Sequence, residues 1–119
     1  MKVVVVGAGG LGSYIGAVLS QAGHDVTLVV RGAHRTAIEK NGLRVRSHAG
    51  DFDVNVRCVA SALEVDTADL ALLVTKTFSL DEVADQLVNL SGSGAHVVSL
   101  LNGITAFDRL EVHGVSQDV

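Results

Sequence analysis

Residues 2–12 have the sequence KVVVVGAGGLG, in which four consecutive valines run directly into spaced glycines. A short, continuous β-branched run of this kind is typical of a strand that is buried on both faces of a parallel sheet. Gly7, Gly9 and Gly12 form the pattern G-x-G-x-x-G where this strand ends. When a helix and a second strand follow it, this pattern predicts a turn that binds the phosphates of a dinucleotide.

The residues after the glycines supply that context. Apolar residues recur at helical spacing and predict a helix over residues 11–22, with Gly23 as its C-terminal cap. The positions expected on the buried face of this helix are Leu11, Ile15, Val18, Leu19 and Ala22. A second β-branched strand follows over residues 25–30. The three segments have the length that a right-handed crossover between parallel strands requires.

The rest of the chain continues the alternation of strands and helices. The predicted strands cover residues 43–46, 53–59, 70–74 and 97–101, and the predicted helical segments cover 31–41, 62–65, 79–90 and a short stretch from 105. This order predicts an α/β fold with a doubly wound, mostly parallel sheet and helices on both faces. In such a sheet, ligands bind in a crevice at the carboxyl ends of the strands.

Each glycine of the turn is expected at its position for a different mechanical reason. Gly7 permits the tight turn off the strand, Gly9 lets the backbone approach a pyrophosphate, and Gly12 lets the helix pack closely on the strand. The free N–H groups and positive dipole end of the helix favour phosphate at the same place. The residues that we expect to bind the cofactor here are Gly7, Ala8, Gly9, Gly10, Leu11 and Gly12. The alternative is a tight strand–helix turn without a ligand.

Arg31 predicts which dinucleotide is bound. NAD-binding proteins place a carboxylate about 20 residues after the glycines, where it accepts from the ribose 2′-hydroxyl. Here Arg31 stands nineteen positions after Gly12, with Arg35 close behind it, and no carboxylate occurs between Val26 and Ile38. A guanidinium pairs bidentately with phosphate, so we expect NADP rather than NAD as the cofactor. The alternative is that Arg31 is an ordinary solvated loop charge.

Two polar residues follow later buried strands. Lys76 follows the strand over 70–74, and Asn102 follows the strand over 97–101. We expect both at the crevice, where Lys76 could meet a phosphate, a ribose hydroxyl or a carboxylate, and Asn102 a ribose or carbonyl group. The alternatives are a strand-end lysine that extends to solvent and a turn-forming Asn-Gly pair.

Composition excludes several other classes of function. With 48% hydrophobic and 18% charged residues, the chain is typical of a globular domain and not of a disordered one. A formal net charge of −4 and scattered basic residues argue against nucleic acid as a partner. No apolar stretch reaches membrane-spanning length and no secretory signal is evident, so we expect no membrane partner and a cytoplasmic location. One cysteine and five scattered histidines predict no metal site.

Together these motifs resemble the N-terminal domain of the ketopantoate reductases (2-dehydropantoate 2-reductases), and the resemblance spans nearly the whole chain. It is carried by five stretches: GAGGLG at 7–12, LVVRG at 28–32, EKNGLRV at 39–45, LLVTKTF at 72–78 and SLLNGI at 99–104. The lysine and Asn-Gly stretches, in this order, are more specific than the glycine turn.

The resemblance implies an NADPH-dependent reduction of a 2-keto acid, ketopantoate to pantoate, in pantothenate biosynthesis. It implies that Arg31 holds the 2′-phosphate, that Lys76 lies near the nicotinamide and the substrate, and that Asn102 positions the nicotinamide ribose and the catalytic groups. Lys76 and Asn102 would thus support catalysis, since a second, helical domain of the family supplies the main acid, a lysine. We therefore expect residues 1–119 to be a truncated dinucleotide-binding domain that lacks this second domain and has little activity alone.

Two other functions stay open on the sequence. One is a stand-alone module that senses a dinucleotide and controls a partner, and the other is the cofactor domain of a related NADP-dependent dehydrogenase. Without the second domain, an apolar docking surface would be exposed and could join copies of the chain into a homo-oligomer. The residues expected on that surface are Leu101, Ile104, Phe107 and Leu110.

Overall fold

A computed structural model of the chain describes residues 1–7, 10–46, 50–74 and 80–99. The strands are β1 (Lys2–Val6), β2 (Asp25–Val29), β3 (Leu43–Val45), β4 (Phe52–Val54), β5 (Arg57–Val59), β6 (Leu70–Leu73) and β7 (His96–Ser99). The helices are α1 (Gly10–Gln21), α2 (Gly32–Asn41) and α3 (Leu80–Gly92), with a single 3₁₀ turn at Ala62–Glu64.

Five of the strands form one parallel sheet in the order β5-β2-β1-β6-β7. The four valines of β1 occupy its centre and are almost completely buried, as their continuous apolar run predicts. The chain leaves β1 towards β2 and later returns to the other side of β1 as β6. The strand order therefore reverses next to β1, and the crevice expected at such a reversal lies at the carboxyl ends of β1 and β6.

Both faces of the sheet are covered, which confirms the predicted doubly wound α/β architecture. On one face, α1, α2 and the β3–β4 pair enclose a core that includes Val5, Ala17 and Ile38. On the other face, the 3₁₀ turn and α3 pack over Val4 and contribute the fully buried Leu87 to a second core.

The structure corrects the predicted strand over residues 53–59. This segment forms two strands in different sheets, because β4 pairs antiparallel with β3 whereas β5 pairs parallel with β2. The alternation of apolar residues continues across Asn55 and Val56, so the side-chain pattern alone does not reveal the change of partner. The chain uses the two intervening residues to leave the small hairpin and join the edge of the main sheet.

The buried face of α1 is also different from the predicted one. Val18 and Ala22 are exposed, whereas Gly12, Gly16 and Ala17 are buried against the sheet. The helix lies too close to the sheet for large side chains at these positions, so small residues form the contact. At the other end of the fold, α3 extends two residues beyond the predicted end at residue 90.

Candidate functional site

The turn after β1 is built around Gly7. Its φ of 109° lies in the region that side chains disfavour, so this position requires glycine. Gly7 N donates a hydrogen bond to Val29 O at 3.2 Å, and Val74 N donates to Val6 O at 3.1 Å. These bonds bring the carboxyl ends of β1, β2 and β6 together at one edge of the sheet.

The helix that follows is pressed directly onto this turn at Gly12. A Cβ atom at this position would lie 2.2 Å from Gly7 O and 2.9 Å from Val74 Cγ2. One turn later, a Cβ at Gly16 would lie 3.0 Å from Leu28 Cδ2. The close approach confirms the mechanical role predicted for Gly12, and it places the first turn of α1 beside the crevice between β1 and β6.

The amino end of α1 can hold an anion. The helix begins at Gly10, and its first turn carries no acidic residue that would compete for the free N–H groups. The backbone of Gly10 and Leu11 is helical, as a phosphate-binding turn requires. Ala8 and Gly9, the other two residues assigned to the turn, lie outside the described residues. The turn at Gly7 and the amino end of α1 at Gly10 together fit the pyrophosphate of a dinucleotide.

Arg31 lies at the same edge of the sheet, directly beyond β2. It is the N-cap residue of α2, with extended backbone angles (φ −127°, ψ 164°) and no side-chain cap hydrogen bond. Its Nε donates to Ala60 O at 3.4 Å, and the residue as a whole is exposed. The first turn of α2 contains no acidic residue. The guanidinium can therefore meet an anionic group on a ribose that lies over the end of β2.

A second arginine, Arg35, joins α2 to the edge strand β5. Its Nε donates to Glu39 Oε1 at 3.2 Å, and its Nη2 donates to Cys58 O at 3.3 Å. Burial raises the pKa of the Cys58 thiol; Glu39 raises it further, while Arg35 lowers it. The sequence interpretation noted Arg35 only as a second arginine close behind Arg31 and did not identify its pair with Glu39, although the i, i+4 spacing on a helix could have indicated it.

The loop after β5 contains a capping box that the sequence interpretation missed. Ser61 Oγ accepts from Leu63 N at 3.1 Å, while Glu64 Oε2 accepts from Ser61 N at 3.0 Å and from Ala60 N at 2.8 Å. The pattern S-x-x-E, which is typical of the start of a helix, occurs here and again at residues 79–82, at the start of the predicted helical segment over 79–90. Since Ser79 lies outside the described residues, the structure tests only the occurrence at residues 61–64. The capping box holds the Ala60 carbonyl, which Arg31 contacts, in a fixed loop.

Lys76 and Asn102 lie outside the described residues, so their predicted roles stay predictions. The strands that precede them are described: β6 lies beside β1, and β7 lies beside β6. The predicted exposed surface of Leu101, Ile104, Phe107 and Leu110, and the predicted helix from residue 105, also lie outside the described residues.

The described residues contain neither a metal-binding cluster nor a membrane-spanning helix. Among residues 1–7, 10–46, 50–74 and 80–99, no group of three or more His, Cys, Asp or Glu side chains is arranged to hold a metal ion. No helix in the described part of the chain has the length and apolarity needed to cross a membrane.

Comparison with known proteins points to one family. A family model described as ketopantoate reductase PanE/ApbA matches residues 3–118. A 2-dehydropantoate 2-reductase of Mesorhizobium japonicum is 39% identical over 105 residues, which are 87% of this chain and 32% of the relative. The chain thus spans about a third of the length of the curated relatives it matches.

Solved structures agree with this match. A PanE/ApbA family ketopantoate reductase from Ralstonia eutropha JMP134 superposes with a TM-score of 0.84 at 37% identity, covering 94% of this chain and 38% of that one. A D-mandelate dehydrogenase in a ternary structure with NADH and anilino(oxo)acetate superposes with a TM-score of 0.82 at 30% identity, covering 95% of this chain and 37% of that one.

Proposed function

The chain belongs to the ketopantoate reductase PanE/ApbA family, and on this premise we propose that it forms the dinucleotide-binding part of an NADPH-dependent oxidoreductase that reduces a 2-keto acid. The proposed reaction converts 2-dehydropantoate to pantoate, in cytoplasmic pantothenate biosynthesis. Curated relatives that carry the name 2-dehydropantoate 2-reductase support this choice of substrate.

The choice of NADPH rests on one observation, the position of Arg31 at the N-cap of α2. The residue follows β2 directly, next to the glycine turn, where a carboxylate would recognise the 2′-hydroxyl of NADH. A guanidinium there attracts a 2′-phosphate instead, and no acid in the first turn of α2 opposes it.

The proposal assigns separate tasks to the chain's own residues. The backbone around Gly7 and Gly12 and the amino end of α1 would hold the pyrophosphate, and Arg31 would hold the 2′-phosphate. When bound, the reduced nicotinamide supplies a hydride to the keto carbon. Lys76 is predicted to lie near the nicotinamide and the substrate, and Asn102 to position the nicotinamide ribose.

A binding titration tests the cofactor assignment. Dissociation constants of NADPH and NADH would be measured for the 119-residue chain, for Arg31→Gln and for the control Arg57→Gln, which removes an exposed charge at the opposite end of β5. We expect the unaltered chain to prefer NADPH by tenfold or more, in line with about 1.4 kcal/mol or more from a charge-assisted phosphate contact.

Arg31→Gln should remove most of that preference and leave the affinity for NADH within about twofold, since only the 2′-phosphate contact is lost. Arg57→Gln should keep the preference. A chain that prefers NADH, and whose selectivity does not change in Arg31→Gln, would contradict the proposal.

The alternative candidate is an NADH-dependent dehydrogenase of the same fold. One observation favours it: the structurally similar D-mandelate dehydrogenase was solved with NADH. The same titration separates the two candidates, because an NADH-dependent protein would bind NADPH no more tightly than NADH.

A further inference from the structure

The second turn of α2 carries a guanidinium to which the proposed function gives no task. Arg35 uses its Nε for Glu39 and its Nη2 for the Cys58 carbonyl. Within the described ranges its Nη1 makes no hydrogen bond, and 32% of the side chain is exposed. Arg35 is thus held in one orientation by two contacts and still presents donors to solvent.

The carbonyls that hold Arg35 and Arg31 belong to Cys58 in β5 and to Ala60, the first residue after that strand. Val59 O accepts from Val30 N at 2.9 Å, so Val59 faces β2. Carbonyls alternate in direction along a strand, and that of Cys58 therefore points away from β2, towards Arg35. The carbonyl of Ala60, one residue beyond the strand, accepts from Arg31. Two residues of strand separate these anchors by about 7 Å.

Two arginines are thus anchored on carbonyls two residues apart in the chain, at the end of the sheet where the adenosine ribose is expected. Charge-assisted contacts to phosphate are about 2.7–2.9 Å long, so one phosphate group fits between guanidiniums anchored about 7 Å apart. His34, which lies between the arginines in sequence, instead lines a cleft with Ser13 of α1. The side chains of Arg31 and Arg35 therefore extend towards β5 and the residue after it, whereas that of His34 extends towards α1.

We propose that Arg35 is a second binding residue for the 2′-phosphate of the cofactor, positioned by Glu39 and by the Cys58 carbonyl. The inference rests on the proposed NADPH specificity. The competing interpretation is that Arg35 only braces α2 against the exposed edge of β5. A brace would support every adenine nucleotide alike, whereas a phosphate ligand acts only on nucleotides that carry the 2′-phosphate.

Two small ligands separate these interpretations. Isothermal titration of the 119-residue chain would compare adenosine 2′,5′-bisphosphate with adenosine 5′-monophosphate, which differ only in the 2′-phosphate. For Arg35→Gln we expect about a tenfold loss of affinity for the bisphosphate, as when one charge-assisted contact is removed, and a change within about twofold for the monophosphate. Arg46→Gln is the control, because it removes another ion-paired arginine, which lies beyond β3 and is more exposed than Arg35.

Arg35→Lys guards against a folding defect in Arg35→Gln, since lysine keeps the positive charge but lacks the planar set of guanidinium donors. It should retain part of the selectivity for the bisphosphate. Equal losses for both ligands, or no loss for either, in Arg35→Gln would overturn the inference. If Arg31→Gln abolishes the selectivity and Arg35→Gln does not, only this inference fails; if neither the unaltered chain nor Arg31→Gln distinguishes the two ligands, the proposed function fails with it.

Discussion

The glycine turn after β1 and the arginine edge of α2 lie at the same end of the sheet, but they are built on different physics. At the turn, Gly12 approaches Gly7 O so closely that no side-chain carbon fits. At the edge, Arg31 and Arg35 are fully and partly exposed, respectively, and each donates a hydrogen bond to a carbonyl in or next to β5. Steric fit therefore determines which residues the turn accepts, whereas charge determines which ligand the arginine edge binds.

The difference has an energetic consequence. Steric overlap with backbone atoms has no inexpensive relief, because moving them disturbs the sheet and the helix together. Exposed charges, in contrast, are screened by water and salt and contribute little to folding. Substitutions at the turn should therefore destabilise the protein, whereas substitutions at the arginine edge should change mainly which ligand it prefers.

The largest effect is expected for Gly12→Ala. The new Cβ would lie 2.2 Å from Gly7 O, and this clash should exceed the gain of about 1 kcal/mol that alanine brings to a helix. We expect the free energy of unfolding, measured by urea denaturation, to fall by about 3 kcal/mol. Gly16→Ala is the control: its Cβ would be tight only against the end of the Leu28 side chain and at ordinary contact distance from Val26 and Val5, so the change should stay within about 1 kcal/mol. Equal effects of the two substitutions would contradict the steric account.

The next effect concerns salt at the arginine edge. Raising the ionic strength from 0.1 to 1 M shortens the screening length from about 10 Å to about 3 Å. The selectivity for adenosine 2′,5′-bisphosphate over the monophosphate should therefore fall severalfold, because Arg31 is exposed. Titrations at the two salt concentrations measure it, and an unchanged ratio would show that charge is not the basis of the selectivity.

The thiol of Cys58 reports the charges at the same edge. Because Glu39 raises the pKa of this thiol and Arg35 lowers it, Glu39→Gln should increase the thiolate fraction at pH 8 and Arg35→Gln should decrease it. The rate of alkylation by iodoacetamide measures this fraction. If both substitutions change the rate in the same direction, they act through altered burial of the thiol rather than through charge.

The same pKa shift sets the direction of a pH effect. The folded state holds the proton of Cys58 more strongly than the unfolded chain does, so stability should decrease as the pH rises above the ordinary thiol pKa of about 8.5. Urea denaturation from pH 7 to 10, with Cys58→Ala as the reference, measures this decrease. A Cys58-dependent gain of stability at high pH would show that the sign is wrong.

The smallest effect is expected for Gly92→Ala at the end of α3. A Cβ at this position would meet nothing within 4 Å, and the backbone does not adopt a positive φ. Alanine should therefore raise the free energy of unfolding by about 0.5 kcal/mol, mainly by restricting the unfolded chain. A loss of stability in Gly92→Ala would contradict the account in which the space around the new Cβ explains why Gly92 tolerates alanine and Gly12 does not.

Local patterns predicted much of this structure because their causes are local. The valines before Gly7 can avoid water only inside a sheet, and β1 forms as expected. Gly42 ends α2 with a φ of 76°, a conformation that glycine adopts without strain. The prediction was wrong for residues 53–59, where a change of strand partner left no trace in the pattern, and for α1, whose buried face depends on its distance from the sheet.

The candidate site divides in the same way. Its glycines and Arg31 were identified from sequence because each residue type performs a task that few others can perform at that spacing. Arg35, Glu39 and Cys58 were not assigned to it, because their contacts join α2 to β5, and these elements are not brought together by any short-range pattern.

By itself, the sequence determined that a βαβ unit begins this chain, that its first turn must be free of side chains, and that a cation follows β2. These results need only backbone sterics and the periodicity of buried residues. Only the tertiary structure decided that β5 joins β2, and hence that the carbonyls of Cys58 and Ala60 accept hydrogen bonds from Arg35 and Arg31. The physical reason is that strand pairing depends on packing between distant segments, whereas a turn depends on its own few residues.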